Sequence, residues 1–493
     1  MDWLVKNEIN RCLLCAEAPC SKACPYQVEP DRRIRSLYFE NPYGASEGFS
    51  FDACEKCDAP CEKACCLASQ SKAIAIRDLM RKVSETKETL ELSSEEVDLS
   101  TSICGVKLEN PFMLSSSVVA SDYEMISKAF ELGWAGVAYK TICLFEQHET
   151  SPRFSALKSR TGSFYGFKNI EQLSDHALEE NVAVFKQLKD KYPTKVIVAS
   201  IMGRNEKEWE YLARVCDEAG ADVIECNFSC PNMEDNTLGV TIGQSRRLVE
   251  RFMKATRKGT KKPILAKLTP NVTEMVPIAQ AAKRGGANGI AAINTIKSIT
   301  GVNIDSLAPE PAVRGQSSLG GYSGAAVKPI ALRFISEIAR DEECKTMHIS
   351  GMGGIETWRD AVEFLLLGAS SLQLTTAIMQ YGYRIIEDLL SGLAGYMKER
   401  NIHKVSEIIR GSVDNVVDLN QLERDTILYP KFNLDACIGC GRCSISCFDG
   451  GHHAIQFDAE TRRPKLNGSK CVGCHLCRLV CPVQAIGTVR KRI

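Results

Sequence analysis

Between about residue 101 and residue 398 the chain alternates short apolar runs with stretches of helical periodicity. The runs begin FMLS at 112, GVAYKT at 136, KVIVASIMG at 195, DVIECNFS at 222, PILAKLTP at 263, GIAAINT at 289, MHISGMGG at 347 and SLQLTTA at 371. Most are followed by an amphipathic stretch such as EKEWEYLARVCDEAG or TEMVPIAQAAKRGG. Runs of this length are what strands buried on both faces require, and the periodic stretches are what covering helices require. Eight such units over roughly 260 residues predict an α/β fold, a (β/α)8 TIM barrel, whose usual size is about 250 residues. A doubly wound open sheet is the rival, and eight repeated units favour closure. The unusual polar residues gather at the C-terminal ends of the runs: Ser115 and Ser116, Lys140 and Thr141, Asn227 to Cys230, Lys267 and Thr269, Asn294 and Thr295, Gly353 and Gly354, Thr375 and Thr376. That rim is where barrel enzymes build their sites.

Outside this region the pattern breaks, and cysteine takes over. Residues 12 to 24 read CLLCAEAPCSKAC and residues 54 to 66 read CEKCDAPCEKACC, two versions of one pattern. The repeat predicts a small helical iron–sulfur domain over 1–81. The polar, Ser/Thr-rich stretch 82–100 reads as a linker, 101–398 as the barrel and 399–430 as a second linker. Residues 431–493 hold CIGCGRCSISC and CVGCHLCRLVCP. Both have the spacing of bacterial two-cluster ferredoxins, in which the fourth cysteine of each run reaches the other cluster. Cys437, Cys440, Cys443 and Cys481 are therefore expected at one 4Fe–4S centre, and Cys471, Cys474, Cys477 and Cys447 at the second. By the same logic Cys12, Cys15 and Cys20 share a centre with Cys65, while Cys24 joins Cys54, Cys57 and Cys61. Cys66 competes with Cys65, and zinc stays open as the metal of the N-terminal repeat.

Composition narrows the class. Lys plus Arg and Asp plus Glu are 61 each, so no net field draws the chain to nucleic acid or an anionic membrane. The start, MDWLVKNEINRC, lacks the apolar stretch of a signal peptide, and no apolar run is long enough to span a bilayer. A cytoplasmic protein is expected. Of 23 cysteines, sixteen are assigned above, leaving Cys66, Cys104, Cys143, Cys216, Cys226, Cys230 and Cys344. A buried hydrophobe is an adequate reading for Cys216 and Cys226. It fits Cys230 poorly, because that residue lies past a strand end beside Pro231.

NFSCPN, AKLTPN, INT, GGYSG, SGMGGI and TTAIMQ together resemble the FMN-containing barrel of the dihydroorotate and dihydropyrimidine dehydrogenases. A barrel followed by a two-cluster ferredoxin domain is similar to the catalytic subunits of bacterial NAD-dependent dihydropyrimidine dehydrogenases. The cysteine-rich N-terminus is similar to the first domain of the long dihydropyrimidine dehydrogenases. The resemblance implies an oxidoreductase acting on CH–CH bonds, reversibly reducing uracil or thymine to 5,6-dihydropyrimidines. It makes Cys230 the proton donor and Asn169, Asn227, Asn294 and Thr295 pyrimidine ligands, with Ser229 facing flavin and pyrimidine. FKNIEQLSDH, with Glu171 two residues after Asn169, resembles the dihydropyrimidine branch. Lys267 is implied at the flavin N1–C2=O edge.

Elementary chemistry agrees with this. Asn presents an acceptor and a donor together, which suits a pyrimidine edge. Gly320, Gly321, Ser323 and Gly324, with Gly353 and Gly354, let backbone N–H groups approach a phosphate late in the barrel. Thr375 and Thr376 add hydroxyls. Ser115, Ser116, Lys140 and Thr141 complete the expected flavin set, and a cation near the ring favours its reduced form. No GxGxxG follows a strand and opens a helix, so electrons are expected from an FAD-bearing partner subunit using NADH, or from a ferredoxin. By analogy a homodimer or hetero-oligomer is expected. The alternatives are a dihydroorotate dehydrogenase or related ene-reductase, and a non-catalytic electron-transfer protein.

Overall fold

The computed structural model describes residues 3–90, 92–159, 162–233 and 238–492. Of the expected segments, the two chain ends and residue 91 of the first linker lie outside the described residues. The eight apolar runs form eight parallel strands that close on themselves in sequence order. They are β1 Phe112–Leu114, β2 Gly136–Ala138, β3 Val196–Ile201, β4 Val223–Asn227, β5 Ile264–Lys267, β6 Gly289–Ala292, β7 His348–Met352 and β8 Ser371–Leu374. The helices that follow them are α1 Tyr123–Glu131, α2 Leu178–Lys191, α3 Glu206–Glu218, α4 Arg246–Gly259, α5 Val276–Arg284, α6 Lys328–Arg340, α7 Trp358–Leu366 and α8 Ile385–Glu399.

The periodicity explains how each helix sits. In α3 the apolar face Trp209, Leu212, Ala213 and Cys216 is buried at helical spacing. Its first turn is capped by Asn205, whose side chain accepts from the N–H groups of Lys207 and Glu208. A hairpin of Thr101–Ile103 against Val106–Leu108 closes the N-terminal end of the barrel, packing Ile103 and Leu108 on Met113, Val196, Val223 and Leu265.

Three features depart from the sequence reading. A four-stranded antiparallel sheet, Ile296–Ser298, Gly320–Ser323, Phe164–Asn169 and Phe154–Lys158 in spatial order, grows from the loops after β2 and β6. Gly320 and Gly321 are strand residues of this sheet, paired with Ser298 and Lys297. The stretch expected as the first linker begins inside a helix, Ile76–Lys87, because Ile76, Leu79, Met80 and Val83 form a buried face. The second linker is also shorter than expected, since Val405, Ile408 and Val413 are buried in the barrel core. Their polar neighbours masked an apolar spacing that packs.

The chain divides into two compact units, residues 12–416 and residues 1–11 with 417–493. In the first, the N-terminal cysteine segment is welded to the barrel. Arg35 pairs with Asp388 of α8 (2.8 Å), whose carboxylate also accepts from the hydroxyl of Ser36 (2.5 Å). Trp358 Nε1 donates to Glu40 O (2.9 Å), and Arg384 donates to the carbonyls of Leu14 and Cys15 at 2.5 and 3.4 Å. In the second unit, strand Thr426–Phe432 pairs with Ile486–Arg492 and Ile455–Asp458 with Arg463–Leu466. Helices Arg442–Gly450 and Leu476–Leu479 supply Cys443 and Cys477 to a small core with Ile455 and Ile486. Among the described residues no helix is long and apolar enough to cross a membrane.

Candidate active site

The C-terminal ends of the barrel strands open into a cleft whose free space, open solvent included, is about 1110 Å³, a concave site of the kind that takes small molecules and cofactors. Ser115, Ser116, Lys140, Thr141, Asn169, Glu171, Asn227, Cys230, Lys267, Asn294, Thr295, Ser323, Gly324, Gly353, Gly354, Thr375 and Thr376 all line it. Three residues expected there do not. Gly320 and Gly321 are paired in the antiparallel sheet, at the start of the strand whose Tyr322 and Ser323 reach the cleft. Ser229 has no exposed surface, and its hydroxyl is committed to neighbours.

Those commitments fix the asparagines. Asn227 Nδ2 donates to Thr141 Oγ1 (2.9 Å), and Asn227 Oδ1 accepts from the amide and the hydroxyl of Ser229 at 3.1 and 2.8 Å. Asn294 Nδ2 donates to Ser229 Oγ (2.7 Å), and Asn294 Oδ1 accepts from Thr295 N (2.8 Å). A strand-end pair on β4 is thereby tied to one after β6, and both carboxamides are held in register.

Cys230 follows β4 in a tight loop. Its carbonyl accepts from Val240 N (3.0 Å). Gly239, at φ +55°, lies so close that a Cβ there would sit 2.2 Å from that carbonyl oxygen, so only glycine fits. The thiol is 7% exposed, and burial pushes it up to about 11, against a hydrogen bond from the Asn232 backbone. A thiol in this state is a proton donor throughout the neutral range.

Charge is concentrated on one wall. Lys140 Nζ stands 3.4 Å from Glu171 Oε1, and Arg153 approaches the same oxygen at 3.6 Å. Burial raises the Glu171 carboxyl, against the pull of Lys140. Asn232 Nδ2 donates to Asn169 Oδ1 (3.1 Å) and to Glu171 O (2.6 Å), tying the Cys230 loop to the antiparallel sheet. Sequence reasoning passed over Asn232, although it stands in the same NFSCPN stretch. Gln373, which lines the cleft, and Arg153, which approaches Glu171, were also missed, because only folding brings them to these partners.

The residues present fit FMN. At the far wall Gly324 and Gly354 have φ of +93° and +83°, and a Cβ on Gly354 would meet Gly324 O at 2.9 Å and Lys328 N at 3.0 Å. Two bare turns therefore face each other before α6, a cradle of the kind that binds phosphate. Ser323 and Thr376 share a hydroxyl hydrogen bond of 2.9 Å beside it. Lys140 and Lys267, 7% and 2% exposed, supply the buried cations that a reduced ring calls for.

The cysteines fall into groups. Cys12, Cys15, Cys20, Cys65 and Cys66 line one apolar hollow, and Cys24, Cys54, Cys57 and Cys61 line another. Burial raises the thiols of Cys20 to about 12 and Cys61 to about 11, a cost that a bound cation reverses by drawing out thiolate. Cys447, Cys471, Cys474 and Cys477 line a third hollow. Backbone N–H groups of Gly439, Ala454 and Ala485 donate to the sulfurs of Cys437, Cys447 and Cys481 at 3.5, 3.3 and 3.3 Å, as thiolate ligands of clusters require.

Comparison with known proteins matches these three regions. Residues 98–397 match the dihydroorotate dehydrogenase family, residues 431–488 a 4Fe-4S dicluster domain, and residues 3–92 dihydropyrimidine dehydrogenase domain II, 4Fe-4S cluster. The NAD-dependent dihydropyrimidine dehydrogenase subunit PreA of Escherichia coli K12 is 55% identical over 389 residues, 79% of this chain and 95% of that protein. The chloroplastic dihydropyrimidine dehydrogenase (NADP(+)) of Arabidopsis thaliana is 37% identical, covering 65% of this chain and 79% of its own. The catalytic subunit of dihydroorotate dehydrogenase B (NAD(+)) from Pyrococcus abyssi is 36% identical, over 63% of this chain and 98% of its own. The crystal structure of dihydroorotate dehydrogenase from Eimeria tenella, in complex with ferulenol, shares the fold, with a TM-score of 0.53 and 19% identity over 66% of this chain and 91% of that one. The chain belongs to the dihydroorotate dehydrogenase family of FMN barrels, among its dihydropyrimidine dehydrogenases, with a 4Fe–4S domain at each end.

Proposed function

We propose that the chain is the catalytic subunit of a cytoplasmic dihydropyrimidine dehydrogenase, reducing uracil or thymine reversibly at the C5–C6 bond. FMN held in the cleft would supply hydride chemistry at C6, with its electrons drawn singly from the 4Fe–4S domains. The remaining work is done by side chains. Asn169, Asn227, Asn294 and Thr295 hold the ring through its alternating donors and acceptors, and Asn232 keeps Asn169 and Glu171 aligned with the Cys230 loop. Ser229 acts behind them, locking two of the carboxamides. Cys230 delivers a proton to C5, and in the reverse direction its thiolate removes one. Lys267 would stabilise charge at the edge of a bound flavin, Lys140 balances Glu171, and the Gly324–Gly354 cradle would hold the phosphate.

The observation that carries this reading is the meeting of a buried thiol with fixed carboxamides and two buried lysines in one cleft. The proposed ligand sets are four: Cys12, Cys15, Cys20 and Cys65; Cys24, Cys54, Cys57 and Cys61; Cys437, Cys440, Cys443 and Cys481; Cys471, Cys474, Cys477 and Cys447. Electrons reach them from an FAD-bearing subunit using NADH, and the working assembly is a hetero-oligomer.

The test is anaerobic turnover of the full chain, reconstituted with FMN and iron, using a chemical reductant. Uracil and thymine are expected to be consumed and orotate left intact. Consumption of orotate alone would replace this reading with dihydroorotate chemistry, and a chain that takes up iron but no flavin would reduce it to an electron carrier.

A further inference from the structure

One member of a buried ion pair at the edge of the cleft has no part in the steps above. Glu225 precedes Asn227 by two residues on β4, and its side chain has no exposed surface. Its Oε2 accepts from Gln373 Nε2 (3.3 Å), which also donates to Ser350 Oγ (3.1 Å). Its Oε1 accepts no hydrogen bond and lies 3.6 Å from Lys267 Nζ. Among the described residues it is the one acid within ion-pair distance of that lysine. Lys267 and Gln373 line the cleft, whereas Glu225 does not. A barrel interior is ordinarily filled with branched aliphatic residues, and a buried carboxylate with an unsatisfied oxygen is costly. Packing alone does not account for Glu225.

We infer that Glu225 is a positioning residue for the flavin couple. Its carboxylate holds the Lys267 ammonium at the cleft and offsets part of its charge. The pair, and not the lysine alone, then sets how far the reduced ring is favoured over the oxidised one. Charges this close interact strongly where water is excluded, and charge near the flavin N1 edge is a principal control of its electronics. The inference rests on the flavin reading above.

The experiment is a spectroelectrochemical titration of the full chain loaded with FMN and iron, following the flavin band against the cluster background. E225Q keeps the shape and the acceptor for Gln373 while removing the charge. The uncompensated lysine is expected to shift the flavin equilibrium toward the reduced form at least tenfold, about 30 mV upward for a two-electron couple. E225D keeps the charge but withdraws it by one methylene, and shifts the couple in the same direction by less. It also serves if E225Q fails to fold. An unchanged or lowered midpoint in flavin-loaded E225Q or E225D overturns the inference, and a lowered melting temperature without a potential shift reduces Glu225 to a structural residue. Failure of the unmodified chain to bind flavin is a distinct result that overturns the flavin reading.

Discussion

In the proposed reaction the chemistry turns on Cys230, whose surroundings make its behaviour quantitative. Loss of a positioned acid removes about 10²–10⁴ in rate, so Cys230→Ala is expected to cut uracil reduction by that factor, measured anaerobically, while flavin and iron contents stay at wild-type levels. Burial holds the thiol near 11, which fixes the pH dependence of each direction. Reduction needs the thiol, which predominates below that value, so proton donation should limit it no more at pH 9 than at pH 6. Oxidation of dihydrouracil needs the thiolate, whose fraction grows tenfold per pH unit below 11, and its rate should climb accordingly. A bell centred near neutrality in both directions would place the acid elsewhere. Gly239 offers a separate check on the loop. A side chain there collides with the Cys230 carbonyl, so Gly239→Ala should displace the thiol and cost turnover even where the variant retains flavin. The placement of Cys230, Asn227 and Asn294 at the cleft was legible in the sequence because they stand at or just past strand ends in recognisable stretches. Glu225 was not, because a single acid inside a strand has no spacing to betray it.

The β-strands and helices of the barrel were legible for a different reason. Each strand is buried on both faces and each helix on one, so sequence pattern and fold carry the same information eight times over. The antiparallel sheet beside the cleft was not. Its strands lie in the loops after β2 and β6, far apart in the chain, and are half exposed. Gly320 and Gly321 accordingly read as a phosphate turn, whereas their bare backbone lets strands pack closely: a Cβ on Gly321 would meet Thr295 Oγ1 at 2.2 Å. The join between α8 and the N-terminal segment was equally hidden. Asp388 is 2% exposed and shared by Arg35 and Ser36, with Asn41 Nδ2 at 3.3 Å. Removing one partner of a buried ion pair costs about 3–5 kcal/mol. Asp388→Ala should therefore lower the melting temperature and expose the segment before residue 88 to limited proteolysis, with cleavage there preceding cleavage of the barrel.

For the molecule as a whole, the electron supply runs through the four proposed thiol sets. The repeat at 12–24 and 54–66 already implied crossed pairing, and the hollows separate Cys24, Cys54, Cys57 and Cys61 from the rest. Four cubanes bring about sixteen irons per chain, and Cys24→Ser should bring this to about twelve while leaving flavin in place. Loss of all N-terminal iron would mean that the two hollows act as one site. The central claim, that this barrel reduces a pyrimidine with Cys230 as the acid, is tested most directly by a single turnover. The full chain, reduced beforehand and freed of reductant, is mixed anaerobically with uracil in a stopped-flow instrument while the flavin band is followed. Reoxidation of flavin and clusters is expected, with one dihydrouracil formed per two electrons they lose together, and a rate at least a hundredfold lower in Cys230→Ala. A reduced flavin that ignores uracil and thymine, or a Cys230→Ala variant that reoxidises as fast as the unmodified chain, would contradict it.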